Sequence, residues 1–217
     1  MPIDTVFFDV GETLVDETRL WAGWAEWLNV PQLTLFGVLG GVIARGQHHR
    51  AVFEIVRPGI DIAAEEAARA AAGQAPVFDR RDFYPDALPC LAALRQRGYR
   101  IGLAGNNPAS AERALRAMNL PVDCIASSAS WGVEKPAPEF FARVAGLAGV
   151  PPQRIAYVGD RADNDVAPAA AAGMLAVFLR RGPWAMLQAG LPEAARAHIR
   201  LETLAELPGA LERLTGW

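Results

Sequence analysis

Alternation constrains this chain most. Five short apolar runs, at 5–9, 99–104, 122–126, 154–158 and 175–179, are interleaved with helically spaced stretches at 85–97, 108–119, 138–148, 165–172 and 204–214. The runs are rich in β-branched and aromatic residues and do not alternate with polar ones, so they read as strands buried on both faces. Buried strands separated by helices predict an α/β fold, a parallel sheet with helices on both sides. Residues 16–82 break the rhythm. They hold no strand pattern and four helical windows, at 17–28, 31–44, 48–56 and 62–72. We expect two domains: an α/β core from 1–15 and 83–217, and a helical insertion at 16–82. An insertion after the first strand is expected over the carboxyl ends of the strands, where such sheets bind ligands, as a lid.

Composition narrows the function classes. The 217 residues carry a formal charge of −3, which disfavours sequence-independent nucleic-acid binding. The uncharged stretch Phe36–Ala44 is far short of the roughly 20 residues of a membrane span, and the start lacks a basic leader pattern. We therefore expect a cytoplasmic protein with no membrane partner. Cys90 and Cys124 form neither a metal-binding pair nor a disulfide framework and are expected as buried thiols. Of 21 basic residues only Lys135 is lysine. It is either a chance survivor of arginine-rich coding or a position that needs a compact charge on a flexible stem.

Four strand ends carry candidate chemistry. Asp9 leaves the first strand into Val10-Gly11-Glu12-Thr13 and suits a nucleophile, a metal ligand or a turn acid. The second strand ends in Gly105-Asn106-Asn107-Pro108, where Gly105 lets a ligand approach the backbone. There Asn107 can cap a helix beginning at Pro108, whose N–H groups would suit an anion. The third segment, Gly132-Val133-Glu134-Lys135-Pro136-Ala137-Pro138, stiffens the chain after the lone lysine. The fourth, Val158-Gly159-Asp160-Arg161-Ala162-Asp163-Asn164-Asp165, sets two acids where hard carboxylates suit Mg2+, with Asp163 and Asn164 read as helix caps.

In this order and spacing the four segments resemble the haloacid dehalogenase-like (HAD) hydrolase superfamily. Gly132-Val133-Glu134-Lys135-Pro136 and Val158-Gly159-Asp160 with Asn164-Asp165-Val166 are the most specific parts. The resemblance covers nearly the whole chain, the insertion included. It implies a Rossmann-like three-layer core, a helical cap and a Mg2+-dependent phosphatase acting on a small phosphorylated molecule, as a monomer or homodimer. By that resemblance Asp9 forms an aspartyl-phosphate and Lys135 holds Asp9 and the phosphoryl oxygens. Gly105, Asn106 and Asn107 face the substrate. Asp9, the Gly11 carbonyl, Asp160 and Asp165 carry the metal.

The chain departs from the family pattern twice. Gly11 stands where its phosphatases carry a second Asp, the acid–base group, worth roughly 10²–10⁴-fold. Gly105 stands where they carry Ser or Thr. Glu12, Asp16, His48 and His49 are the candidate substitutes. The alternatives are a catalytically weak member that binds a phosphate ligand or a protein, or a 2-haloacid dehalogenase, whose pattern lacks the acidic fourth segment found here. Phosphonate cleavage through a cap lysine is excluded, because the one lysine belongs to the third segment. In the insertion, Trp21, Trp24 and Trp27 share a helical face, as its own packing seam or as an aromatic wall over the site. Arg45, Gln47, His48, His49 and Arg50 form a polar cluster suited to an anionic substrate or to a solvated helix end.

Overall fold

The computed structural model describes residues 2–75 and 78–215. In chain order the elements are β1 (Thr5–Phe8), α1 (Thr18–Trp27), α2 (Gln32–Ala44), α3 (Ala51–Val56), α4 (Ile62–Ala71), α5 (Ala87–Gln96), β2 (Arg100–Gly105), α6 (Ala109–Ala117), β3 (Cys124–Ser127), α7 (Ser128–Trp131), α8 (Pro138–Ala148), β4 (Ile155–Gly159), α9 (Ala167–Ala171), β5 (Leu175–Leu179), α10 (Gly182–Gln188), β6 (Ile199–Leu201) and α11 (Leu207–Thr215). The chain divides into two compact units, Met1–Asp16 with Phe78–Trp217, and Glu17–Val77.

The first unit is built on six parallel strands in the order β3-β2-β1-β4-β5-β6. All four residues of β1, Thr-Val-Phe-Phe, are buried, as befits a central strand covered on both faces. Phe8 lies opposite Leu103 of β2 on one side and Val158 of β4 on the other. The chain runs outward from β1 through β2 to β3, then returns to the far side of β1 with β4. This reversal opens a crevice beyond the carboxyl ends of β1 and β4, where sheets of this kind place ligands. One sheet face packs on an aromatic cluster in which Phe141 lies 5.5 Å from Phe140 and 5.2 Å from Tyr157, ring centre to ring centre.

The second unit contains α1 to α4. Trp21 and Trp24 are buried and meet Phe53 of α3 at 6.1 and 4.6 Å between ring centroids. Trp27 is half-buried and donates its indole N–H to Glu65 at 2.7 Å, tying α1 to α4. The three tryptophans thus pack within their own unit. α4 starts at Asp61, whose side chain accepts the Ala64 N–H at 3.1 Å.

Several expectations shift. The helical unit begins one residue later and ends five earlier than 16–82. Asp16 N–H donates to the Asp82 carbonyl at 2.7 Å and Val15 bridges Phe83, so the segment 78–82 joins the α/β unit. β6, α7 and α10 were not expected: β6 has three residues, α7 four, and α10 opens on Gly182-Pro183, a turn signal. α6 starts at Ala109 with Pro108 as its cap, so Asn107 is not the N-cap. The helix expected from Asp165 starts at Ala167, after a π turn at Ala162–Val166 in which the Asp165 and Val166 N–H groups share the Arg161 carbonyl. Cys90 is buried but Cys124 only half-buried. Among the described residues no single helix is long and apolar enough to cross a membrane.

Candidate active site

Four side chains from separate strand ends meet in the first unit. Asp9 follows β1, and its N–H is fixed to the Val158 carbonyl of β4 at 2.9 Å. Asp160 follows β4 directly, and Asp165 comes from the π turn. Lys135 arrives on the loop before α8, on a cis Lys135–Pro136 peptide. Its Nζ donates to Asp9 Oδ1 at 2.6 Å and Asp165 Oδ1 at 2.5 Å. Lys135 is 4% exposed, with its ammonium 5.6 Å from the Tyr157 ring centre and 5.8 Å from that of Phe140. A planar guanidinium would not fit this two-acid, two-ring enclosure as a point charge does.

Asp165 is positioned by absence as much as by contact. Gly159 has no Cβ, and one placed there would run into the Asp165 carboxyl group. The other carboxylate oxygen accepts the Arg161 N–H at 3.0 Å. Asp163, two residues earlier, points to solvent and pairs with Arg161 through both carboxylate oxygens, at 3.1 and 2.8 Å. It is not the helix cap expected from sequence, because the widened turn carries it to the outside.

The electrostatics follow from burial. Desolvation works against the Lys135 ammonium, but attraction to Asp165 and Asp9 outweighs it and its pKa lies well above the usual lysine value. Desolvation pushes Asp165 up to about 6, with Lys135 pulling down and Asp9 pushing up. Asp160 is driven well above the carboxylate range by burial, then by Asp165, Asp9 and Glu12. Its Oδ2 is buried without a hydrogen-bond partner, while Thr13 reaches Oδ1 only at 3.5 Å.

The residues present fit a divalent cation. Asp9, Asp160 and Asp165 each offer an oxygen, all within 4.8 Å of one another, and all three are buried. One lysine cannot balance three carboxylates, and an orphaned buried oxygen calls for a partner. Hard oxygen donors in this number suit Mg2+ with water completing its shell.

The remaining candidates are distributed as follows. Gly11 lies half-buried in a tight turn in which the Leu14 and Val15 N–H groups both donate to the Val10 carbonyl. Gly105 ends β2 beside Asp9. Asn106 is exposed, and its amide is engaged with the Lys135 backbone, Nδ2 to the carbonyl at 2.9 Å and Oδ1 from the N–H at 2.8 Å. Asn107 is nearly buried, 9% exposed. Glu12 is buried with φ 53°, a left-handed conformation that glycine takes more easily. Its carboxylate accepts the Tyr84 hydroxyl at 2.7 Å and occupies room left by Gly182. His48 and His49 belong to the other unit, their rings 4.2 Å apart between centres, with the Arg50 N–H donating to His48 Nδ1 at 3.2 Å.

Tyr157 and Tyr84 were not singled out from sequence as parts of the site, and Gly159 entered only as part of the fourth segment's motif. Tyr157, a phenol within a buried strand, was the readable signal. Its hydroxyl donates to the Ala104 carbonyl at 2.7 Å, binding β4 to β2 across the lysine enclosure.

An acid at the end of β1, a buried lysine across it and an acidic pair after β4 accord with what the chain matches. Residues 3–173 match the haloacid dehalogenase-like hydrolase family. The chain belongs to that family. It is 38% identical over 104 residues to a glyceraldehyde 3-phosphate phosphatase of Methanopyrus kandleri; that match covers 46% of this chain and only 45% of the relative, about half of each. A phosphoglycolate phosphatase of Cupriavidus necator is 29% identical over 232 residues, 97% of this chain and 94% of that one. Among solved structures, a HAD-superfamily hydrolase of Geobacter sulfurreducens superposes with a TM-score of 0.67 at 22% identity, covering 96% of each chain, which speaks for the fold alone.

Proposed function

We propose that the protein is a Mg2+-dependent phosphatase acting on a small phosphate monoester, with Asp9 as nucleophile. The observation that carries this reading is the bridge from Lys135 Nζ to both Asp9 and Asp165 beside the orphaned Asp160 oxygen. Asp9 is held at a strand end with one oxygen on the Lys135 ammonium, so its carboxyl group is fixed in orientation for attack. Its attack on phosphorus forms the aspartyl-phosphate while the bond from phosphorus to the leaving oxygen breaks. Lys135 then faces the transferred oxygens as well as the acids. Asp9, Asp160, Asp165 and the Gly11 carbonyl are the proposed ligands of Mg2+, which when bound neutralises the buried acids and the phosphoryl charge. Phosphatase relatives, one matching along nearly its whole length, support a small phosphorylated substrate. In this reading the helical unit Glu17–Val77 is the cap that selects it.

Gly11 gives the reading a kinetic signature. Without a carboxyl at position 11, neither protonation of the leaving oxygen nor activation of the hydrolytic water has its usual partner, so we expect the adduct to be long-lived. The experiment is intact mass over time with Mg2+ and acetyl phosphate, with Asp9→Asn alongside. An Asp9-dependent gain of one phosphoryl group, decaying slowly, is the expected result. Rapid Asp9-dependent phosphate release without an adduct would mean that another residue supplies the acid. Neither adduct nor release, with Mg2+ bound, would overturn the phosphatase reading in favour of a binding protein.

A further inference from the structure

We infer that Tyr84 and Gly182 are positioning residues for the metal: acting through Glu12, they set the direction of the Gly11 carbonyl. This rests on the Mg2+ site proposed above and names the residues that aim its backbone ligand. The backbone comes first. Gly11 and Val15 form a short parallel bridge, in which the Val15 N–H donates to the Val10 carbonyl at 3.0 Å and the Glu12 N–H donates to the Val15 carbonyl at 2.7 Å. The Glu12 N–H and the Gly11 carbonyl belong to one planar peptide unit and point in opposite directions. With its N–H spent on Val15, that peptide turns the Gly11 carbonyl away from Val15. How steadily the carbonyl keeps this direction depends on how firmly residue 12 is held.

Residue 12 is held in a conformation that a side-chain-bearing residue rarely takes. Glu12 has φ 53°, in the left-handed region, and the residue is 6% exposed. Backbone outliers of this kind persist only where their surroundings over-determine them. Tyr84 grips the turn twice: its N–H donates to the Leu14 carbonyl at 2.9 Å, and its hydroxyl donates to Glu12 Oε2 at 2.7 Å. Gly182, itself at φ 70°, leaves the space that the Glu12 side chain fills; a Cβ there would stand 2.7 Å from Glu12 Cβ and 2.9 Å from Glu12 Cγ. Arg181 completes the brace. Its guanidinium lies 4.1 Å from the Tyr84 ring centre, donates to the Thr13 carbonyl at 3.1 Å and is anchored on Asp86. Burial, then the bond to Glu12, raises the Tyr84 pKa above the ordinary phenol value, so the hydroxyl stays a donor. Tyr84 and Gly182 need not touch the cation; they fix the residue whose peptide carries the carbonyl.

The test measures Mg2+ binding to the metal-free protein by calorimetry. Tyr84→Phe keeps the net charge and the ring beneath Arg181 and removes only the donor. It is expected to weaken Mg2+ about fivefold. Glu12→Gly adopts the same φ without the side chain and should weaken Mg2+ as well. Adding Tyr84→Phe to Glu12→Gly should then change nothing further, because the route through residue 12 is gone. Unchanged Mg2+ affinity in Tyr84→Phe, whatever its melting temperature, overturns the inference, since the phenol would then only support the fold. An equal loss from Tyr84→Phe in both backgrounds also overturns it, because Tyr84 would not be acting through Glu12. Either result leaves the phosphatase reading standing if the unmutated protein binds Mg2+ and shows Asp9-dependent transfer. Absence of Mg2+ binding to the unmutated protein removes that reading and this positioning role with it.

Discussion

Asn106 Nδ2 and Oδ1 close a two-bond clasp on the backbone of Lys135, 29 positions further along the chain. The clasp joins the end of β2 to the loop that carries the site's ammonium.

Removing the clasp is therefore predicted to act through Lys135. Asn106→Ala loses two neutral hydrogen bonds, each worth about 1 kcal/mol net, so unfolding should cost roughly 2 kcal/mol less. Turnover should fall about tenfold or more while KM moves little, because a loosened ammonium misses the transition state more than the ground state. Asn106→Asp keeps the acceptor for the Lys135 N–H but sets a carboxylate against its carbonyl, and should be no better. Urea melts and steady-state kinetics decide; wild-type stability and turnover in Asn106→Ala would show the clasp to be incidental.

How far the sequence spoke for itself can be seen at Asp9, Lys135, Asp160 and Asp165. Each sits at or near the end of a hydrophobic run or beside a rigid proline, so local pattern locates it, and the alternation of runs locates the sheet. β5 was readable to the residue, Leu175–Leu179, because it is uniformly apolar. What was not legible depends on cavities and backbone turns. That Gly159 makes room for Asp165, that Gly182 makes room for Glu12, and that Asn107 folds back over Gly105 are three-dimensional exclusions with no sequence period. Asp163 and Asp165 look alike in sequence. The π turn sends one to solvent and the other inward. β6, three residues long, owes its pairing with β5 to position, helped by His198, whose N–H donates to the Ala176 carbonyl at 2.9 Å and whose Nδ1 accepts the Ala176 N–H at 3.0 Å.

Cys90 offers a readout of core opening. It is 2% exposed, and burial pushes its thiol up to about 12, with Asp86 adding to the rise and Arg181 opposing it. At pH 8 only about one thiol in ten thousand would be ionised. Cys124 is half-buried and also shifted upward, chiefly by burial. A thiol reagent at pH 8 should therefore label Cys124 slowly and Cys90 only as the core opens, and Cys124→Ser should abolish the earlier phase. Equal labelling rates for the two thiols would show that α5 opens locally.

Arg69 is the most exposed to challenge by substitution. It is 4% exposed and stacks on Trp24 at 4.3 Å, but its Nε and Nη1 are buried without hydrogen-bond partners. Burial lowers its pKa, with Glu66 acting in the opposite sense. The stack is worth up to about 2 kcal/mol, whereas two unsatisfied buried donors cost about 1–3 kcal/mol each. Arg69→Met keeps much of the volume and removes the penalty, so it should raise the melting temperature or leave it unchanged. A loss of more than about 1 kcal/mol would show that the guanidinium is satisfied in solution by a group other than Trp24.

The three carboxylates make metal, proton and stability one linked quantity. Asp165 in the folded chain titrates near 6, above the roughly 3.9 of an unfolded aspartate, so between those values the folded protein keeps a proton that the unfolded chain has released. For a group shifted in this direction, stability is fully present below the unfolded pKa and is lost as pH rises through the folded one. Asp160, also shifted upward by burial and the neighbouring acids, acts in the same sense. The metal-free protein should thus melt lower at pH 7.5 than at pH 5. Mg2+ competes with these protons, so its stabilising increment should be larger at pH 7.5. Asp160→Asn removes a buried carboxyl group whose Oδ2 has no partner and whose ionisation burial and the neighbouring acids oppose, and should raise or leave unchanged the metal-free melting temperature at pH 7.5 while shrinking the Mg2+ increment. Thermal melts at the two pH values, with and without 5–10 mM Mg2+ (roughly ten to a hundred times a weak site's dissociation constant), provide the check. A metal-free protein that is more stable at pH 7.5, or an Asp160→Asn variant that is less stable there, would mean that the buried acids are neutralised by something other than protons and Mg2+.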